Sequence, residues 1–265
     1  MPQLTWAQMR HFEPFFVESI RSNPHDPVVI AEGDSWFSFP GHANLIDHLD
    51  EMVNRRMSLL RLAESGDELL EILDQGGLRS LKKLLGRYRP DVLLFSAGGN
   101  DIVGPELLKY VTDRTAPFDA TQALATQALR DRFSAMHHAL GELIATRDEV
   151  APNCVIVTHG YGRAIPSGRK AQVWGFTAGP WIKPYLEARG YTDPGEQRAI
   201  VDELIGQFNR ILDTFVGSNF VKVDLSGAIA DDEWNDELHP SRKGFEDAAL
   251  LVHAALRRLL PHKFS

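Results

Sequence analysis

The feature that most restricts the fold of this chain is an alternation between short, near-continuous apolar runs and longer stretches with helical spacing. The runs are Pro27 to Ile30, Asp91 to Ser96, Asn153 to Thr158 and Phe220 to Leu225, with a weaker one at Ser58 to Leu62. A strand with one solvated face alternates apolar and polar residues. Runs without that alternation are expected where both faces are covered, as in a parallel sheet between helices. Helical periodicity fills the intervals at Leu69 to Tyr88, Thr121 to Ala145 and Glu196 to Phe215, and a last helix is expected from near Ser241 to about Leu260. The pattern predicts an α/β fold, a three-layer α/β/α sandwich with a five-stranded parallel sheet, in one domain over residues 1–265. No internal repeat, low-complexity tract or linker divides it.

Residues 160–195 break the rhythm. They are rich in Gly, Pro and aromatics, including Tyr161, Trp174, Trp181 and Tyr185. A connection of that length inside a compact domain usually carries function. It reads either as a helical hairpin tying down the rim or as a lid or substrate-binding insertion over a pocket.

Bulk properties remove several function classes. The 265 residues are 43% hydrophobic and 24% charged, which is ordinary for a globular chain. A net charge of −8, with no run of Lys or Arg, argues against a nucleic-acid partner. No apolar run reaches the ~18 residues of a spanning helix, and no secretory signal is visible at the start, so a cytoplasmic location is expected. The single Cys154 excludes an internal disulfide and a cysteine-rich metal site. His42, Asp47 and His48 invite a metal reading, but helical phase separates the two His residues and no third ligand has suitable spacing. Neither a metal nor a cofactor is expected.

In parallel α/β sheets, ligands bind beyond the carboxyl ends of the strands. There the chain places Gly33-Asp34-Ser35, then Glu64-Ser65-Gly66-Asp67, then Gly98-Gly99-Asn100-Asp101, and finally Asn235-Asp236-Glu237-Leu238-His239-Pro240. A Ser hydroxyl becomes nucleophilic when a His takes its proton and a carboxylate holds the other ring nitrogen. Asp236 and His239, three apart, suit that pair. The backbone N–H groups of Ser35 and Gly66 and the side-chain amide of Asn100 would supply an oxyanion hole, with Gly76 and Gly77 as nearby alternatives to Gly66. Each residue also has a plainer explanation. Ser35 could be a helix N-cap, Asn100 a turn residue after two glycines, His239 a surface side chain before Pro240, and Asp236 one of several acids in a solvated loop. Asp34 reads as a brace for its turn, Asp101 as an anchor for the Asn100 loop, and His159 as a second choice for the base.

Taken together these residues resemble the SGNH hydrolases of the GDSL esterase/lipase superfamily, whose four blocks carry Ser, Gly, Asn and His. Gly33-Asp34-Ser35 matches the first block, with Trp36 where the family usually has Leu. Gly98-Gly99-Asn100-Asp101 matches Gly-x-Asn-Asp, and Asp236-x-x-His239 matches Asp-x-x-His. His159-Gly160-Tyr161 and Trp234-Asn235-Asp236-Glu237-Leu238-His239-Pro240 also resemble motifs of a bacterial subgroup. The resemblance covers roughly residues 27 to 260. It implies a flavodoxin-like fold and a serine esterase with Ser35 as nucleophile, His239 as base, Asp236 as its partner, and Ser35, Gly66 and Asn100 as the oxyanion hole. A small-molecule or lipid ester is the expected substrate. Trp36, His159, Tyr161, Trp174 and Trp181 are candidates for its binding. A carbohydrate O-deacetylase or an acyltransferase on the same residues is the alternative, and a non-enzymatic binding module a distant third.

Overall fold

The computed structural model describes residues 6–173, 175–217 and 219–264. Five parallel strands form its centre: β1 (Val28–Gly33), β2 (Ser58–Arg61), β3 (Val92–Ser96), β4 (Val155–Gly160) and, last in the chain, β7 (Phe220–Asp224), in the spatial order β2-β1-β3-β4-β7. All residues of β2, β3 and β4 are buried, which is why these runs show no polar alternation. The weak Ser58 to Leu62 run is a strand because it pairs along β1, Val28 with Ser58 through Ala31 with Arg61.

Parallel neighbours need right-handed crossovers, and the strand order decides which face each helix covers. The β1-to-β2 connection carries helix Leu45–Met52, which packs on the C-terminal helix Arg242–Leu259. The connections that run the other way carry Gln75–Tyr88, Gln127–Val150 and Pro194–Asp213; the first and third of these pack on the second. The sheet therefore lies between two helical layers, with one contiguous apolar core.

Two predicted helices differ in their limits. The Leu69 to Tyr88 stretch is two helices, Leu69–Ile72 and Gln75–Tyr88, because Asp74 caps the second by accepting from the Gly77 amide at 2.7 Å. Likewise Thr126 caps a helix running to Val150, with only a short helix, Ala120–Ala123, before it. In both cases a local side-chain cap interrupts an apolar periodicity that continues across it.

Segment 160–195 is not a helical hairpin. It holds an antiparallel β-hairpin, β5 (Ala171–Val173) with β6 (Phe176–Ala178), then the short helix Lys183–Ala188 and the first turn of Pro194–Asp213. Among the described residues no helix is long and apolar enough to cross a membrane.

Candidate active site

The connections from β1 and β3 leave in opposite directions, which opens a crevice at their carboxyl ends. Ser35 follows β1 and Asn100 follows β3. Gly33 makes the first turn possible: its φ is +151°, and a Cβ there would lie 2.1 Å from the carbonyl oxygen of Ser96. That close approach is also where the Asp34 amide donates to Ser96 O at 2.7 Å.

Ser35 is the first residue of the short helix Ser35–Ser38, and the cap is Asp34, whose Oδ1 accepts from the Trp36 amide at 3.0 Å. The hydroxyl of Ser35 is thus not used as a cap. It lies 2.8 Å from Nε2 of His239. Nδ1 of His239 lies 2.9 and 3.0 Å from the two carboxylate oxygens of Asp236. With Nδ1–H donating to the carboxylate, Nε2 is left to accept from Ser35; this tautomer follows from the bonding pattern.

The loop 234–240 is closed on itself by a Trp234–Pro240 bridge and by the Asn235 amide donating to His239 O at 2.9 Å. Asp236 is fully buried. Burial opposes its charge, but bonds from the His239 ring and the Leu238 and His239 amides outweigh it and hold the carboxyl below its ordinary range. The His239 ring is stacked on Phe39, with centroids 4.5 Å apart, and meets the edge of Trp181 at 5.5 Å. Phe39 and Trp181 therefore fix the plane of the ring whose two nitrogens bridge Ser35 and Asp236.

Gly66 has φ +98° and open space where a Cβ would stand, and it borders the same surface depression as Ser35 and His239. Gly76 and Gly77 lie in the first turn of Gln75–Tyr88, where Asp74 already engages the Gly77 amide, and line neither cavity described below. The Asn100 amide donates to Asp67 O at 2.9 Å, which ties it to the Gly66 loop. An amide nitrogen has two N–H groups, so one remains beyond that bond. Asp101 joins the same loops from beneath, accepting from the Leu69 amide at 2.6 Å and the Leu70 amide at 3.3 Å. Burial raises its carboxyl to about 6 despite those bonds.

Asp34 does more than brace its turn. Beyond the Trp36 amide it accepts from Ser96 Oγ at 2.8 Å and from the Tyr161 hydroxyl, and Tyr161 in turn accepts from the Gly99 amide at 3.3 Å. The Ser35 and Asn100 loops are thereby joined through Tyr161. Burial pushes the Asp34 carboxyl upward against these bonds, and burial beside Asp34 pushes the Tyr161 phenol well above its ordinary value.

His159 is not where a base or a pocket wall would be. It is buried beneath Trp36, stacked on the indole at 5.0 Å, with Nε2 2.9 Å from Ser96 Oγ, and it lines neither cavity beside Ser35. Burial lowers it to about 4. The physical reason is its place near the end of β4, a strand buried along its whole length between β3 and β7. Trp36 is mostly core, although its edge reaches the cavity beside Ser35; Tyr161 lines that cavity too. Trp174 lies outside the described residues.

Ser35 and Asn100 sit between two cavities. The inner one, about 50 Å³, is a narrow slot walled by Ile102, Leu107, Ile182, Leu186, Leu204 and Phe208. The outer one, about 300 Å³, is an open depression bordered by Phe39, Gly66, Val173, Trp181 and His239. Segment 160–195 supplies walls to both. An Oγ–H bonded to an imidazole, with N–H donors nearby and an apolar slot on one side, is an arrangement able to attack the carbonyl carbon of a bound ester.

No protein-family model matches the chain, and no curated protein matches it. Solved structures do. A lipase, Lip_vut3, from a goat rumen metagenome aligns over 86% of this chain and 97% of its own, with a TM-score of 0.56 and 18% identity. The family 3 carbohydrate esterase of Clostridium thermocellum aligns over 91% of this chain and 100% of its own, with a TM-score of 0.52 and 15% identity. An extracellular lipase from Streptomyces rimosus aligns over 86% and 99%, with a TM-score of 0.51 and 14% identity. The five-stranded parallel sheet between helical layers is the fold these esterases and lipases share with this chain.

Proposed function

We propose that this chain, which has the SGNH hydrolase fold, belongs to that superfamily and is a serine esterase that cleaves carboxylic esters of short to medium acyl chains. The observation that carries the reading is the hydrogen-bonded series Ser35, His239, Asp236 opening between an apolar slot and an aromatic depression. In the proposed reaction, Ser35 Oγ attacks the ester carbonyl carbon as His239 Nε2 takes its proton. Asp236 stabilises the imidazolium. The tetrahedral oxyanion is received by the Ser35 and Gly66 backbone N–H groups and the free Asn100 N–H. His239 then returns the proton to the departing alcohol oxygen, leaving an acyl group on Ser35. Water, deprotonated by the same His239, releases the acid.

The wall chemistry supports an assignment of sides. Ile102, Leu107, Leu186, Leu204 and Phe208 offer no partner to the hydroxyls of a sugar, whereas a hydrocarbon chain loses nothing there. We assign the acyl chain to the inner slot and the alcohol to the depression beside Phe39 and Trp181. The slot therefore favours an ester whose acyl group is a hydrocarbon chain over an acetyl ester, and the alcohol is set by the outer depression.

The direct test is Ser35→Ala. The parent protein should hydrolyse p-nitrophenyl octanoate and be labelled by a fluorophosphonate at Ser35, whereas the variant should keep its far-UV spectrum and lose both. Equal turnover by variant and parent removes Ser35 from the reaction. Release of acyl product onto an added alcohol in place of water would move the reading to an acyltransferase.

A further inference from the structure

Glu237 lies between Asp236 and His239 in sequence, and its side chain is fully buried. Its carboxyl group does not serve the Ser35 site. Instead both oxygens accept from backbone amides of segment 160–195: Oε1 from Gly168 at 2.9 Å and Lys183 at 3.0 Å, Oε2 from Trp181 at 2.6 Å and Ile182 at 2.7 Å. The last three donors are the residues at which the chain enters helix Lys183–Ala188, whose N-cap side chain, Ile182, has no acceptor to offer. Glu237 supplies that cap from 55 residues away.

What these amides hold in place is the wall of the site. Trp181 sets its edge on the His239 ring and borders the outer depression, while Ile182 and Leu186 line the inner slot. The same segment is tied once more to loop 234–240, through Arg169 Nη1 donating to Trp234 O at 3.0 Å. We infer that Glu237 is a positioning residue for substrate selectivity: it latches segment 168–183 onto the loop carrying Asp236 and His239, so that the acyl slot is walled in register with the base.

The chemistry of the carboxyl group makes the inference specific. Four amide donors converge on two oxygens, and only a carboxylate presents acceptors alone at both positions. Glu237→Gln keeps size and shape but replaces one oxygen by an NH₂ group. That NH₂ faces two N–H donors, so two bonds are lost and like polarity is brought together.

The inference rests on the esterase reading only for its kinetic arm, so two readouts are paired. In amide hydrogen exchange, Glu237→Gln should speed exchange at 168 and 181–183 by about 10-fold or more while β3 and β4 stay protected. In steady-state assays, KM for p-nitrophenyl octanoate should rise about 10-fold, with kcat on the acetyl ester within about 3-fold of the parent. Unchanged exchange at 181–183 overturns the latch whatever the enzyme does. Faster exchange with a uniform loss across all acyl lengths overturns the selectivity role and points to disturbance of Asp236. Absence of turnover in the parent is a failure of the esterase reading, and leaves the exchange result to decide the latch. If the Gln variant does not fold, Glu237→Asp, with both oxygens on a shorter stem, should change both readouts in the same direction.

Discussion

Asn100 has two demands on one side chain. One N–H binds Asp67 O and fixes the loop; the other is the proposed oxyanion donor. Asn100→Ala removes both, but the first is worth only about 1 kcal/mol of stability, whereas a missing oxyanion donor costs on the order of 10²-fold in kcat. We expect that loss in kcat with KM little changed, read by steady-state hydrolysis of one ester. A variant with parental kcat would assign Asn100 to the loop alone. Asp34 illustrates how far a residue's job can exceed its local signal. As the middle of Gly-Asp-Ser it reads as a turn brace, yet it also engages Ser96 and Tyr161 from two other strand ends. Those contacts are between residues 62 and 127 positions away, and no local pattern encodes them.

At the scale of elements, helix Pro194–Asp213 has two tasks on one apolar stripe. Ile200, Leu204 and Phe208 recur at i, i+4 and i+8 as any core-facing stripe does, yet these same residues border the inner slot. Leu204→Trp should fill the slot. The expected outcome is a fall of about 10-fold or more in kcat/KM for the octanoyl ester and a change within about 3-fold for the acetyl ester. Overpacking should cost about 1–3 kcal/mol of stability. A chain-length series of p-nitrophenyl esters decides it, and an unaltered profile would place the acyl chain elsewhere. Strands β3 and β4 were legible because burial on both faces leaves an unbroken apolar run, whereas β7, at the sheet edge, is only partly buried and carries Lys222 and Asp224. Helix limits were less legible, since Asp74 and Thr126 start new helices by capping where the apolar spacing does not change.

The whole molecule answers to pH through groups that its core encloses. His159 sits at the end of β4, between β3 and β7, and burial lowers it to about 4 from an ordinary 6.5. A lowered folded value means the unfolded chain binds the proton more readily. Stability from this group is therefore complete above 6.5 and is lost as pH falls through 4, on the order of 3 kcal/mol in all. Glu32 and Asp101, raised to about 7 and about 6, act in the opposite sense as pH falls. The difference between parent and variant isolates the His. His159→Phe keeps a ring on Trp36 and leaves Ser96 bonded to Asp34. Urea unfolding at pH 7 and pH 4.5 should show the variant losing less stability on acidification than the parent; equal losses would remove His159 from the linkage.

By itself the sequence determined the layers. Apolar runs without polar alternation, separated by helical spacing, point to a covered parallel sheet, because burial on both faces tolerates such strands. It also placed Ser35, Asn100, Asp236 and His239 beyond strand ends, where ligands bind in parallel α/β sheets. The tertiary structure alone decided which of those residues meet. Strand order β2-β1-β3-β4-β7 brings the ends of β1 and β3 side by side, and loop 234–240 returns to within 2.8 Å of Ser35. It also decided which polar residues face inward. Glu237 reads as one more acid in the stretch Asp231 to Glu237, and His159 as a side chain at a strand end. Burial and hydrogen bonding set the role of each, and both depend on atoms supplied by distant parts of the chain.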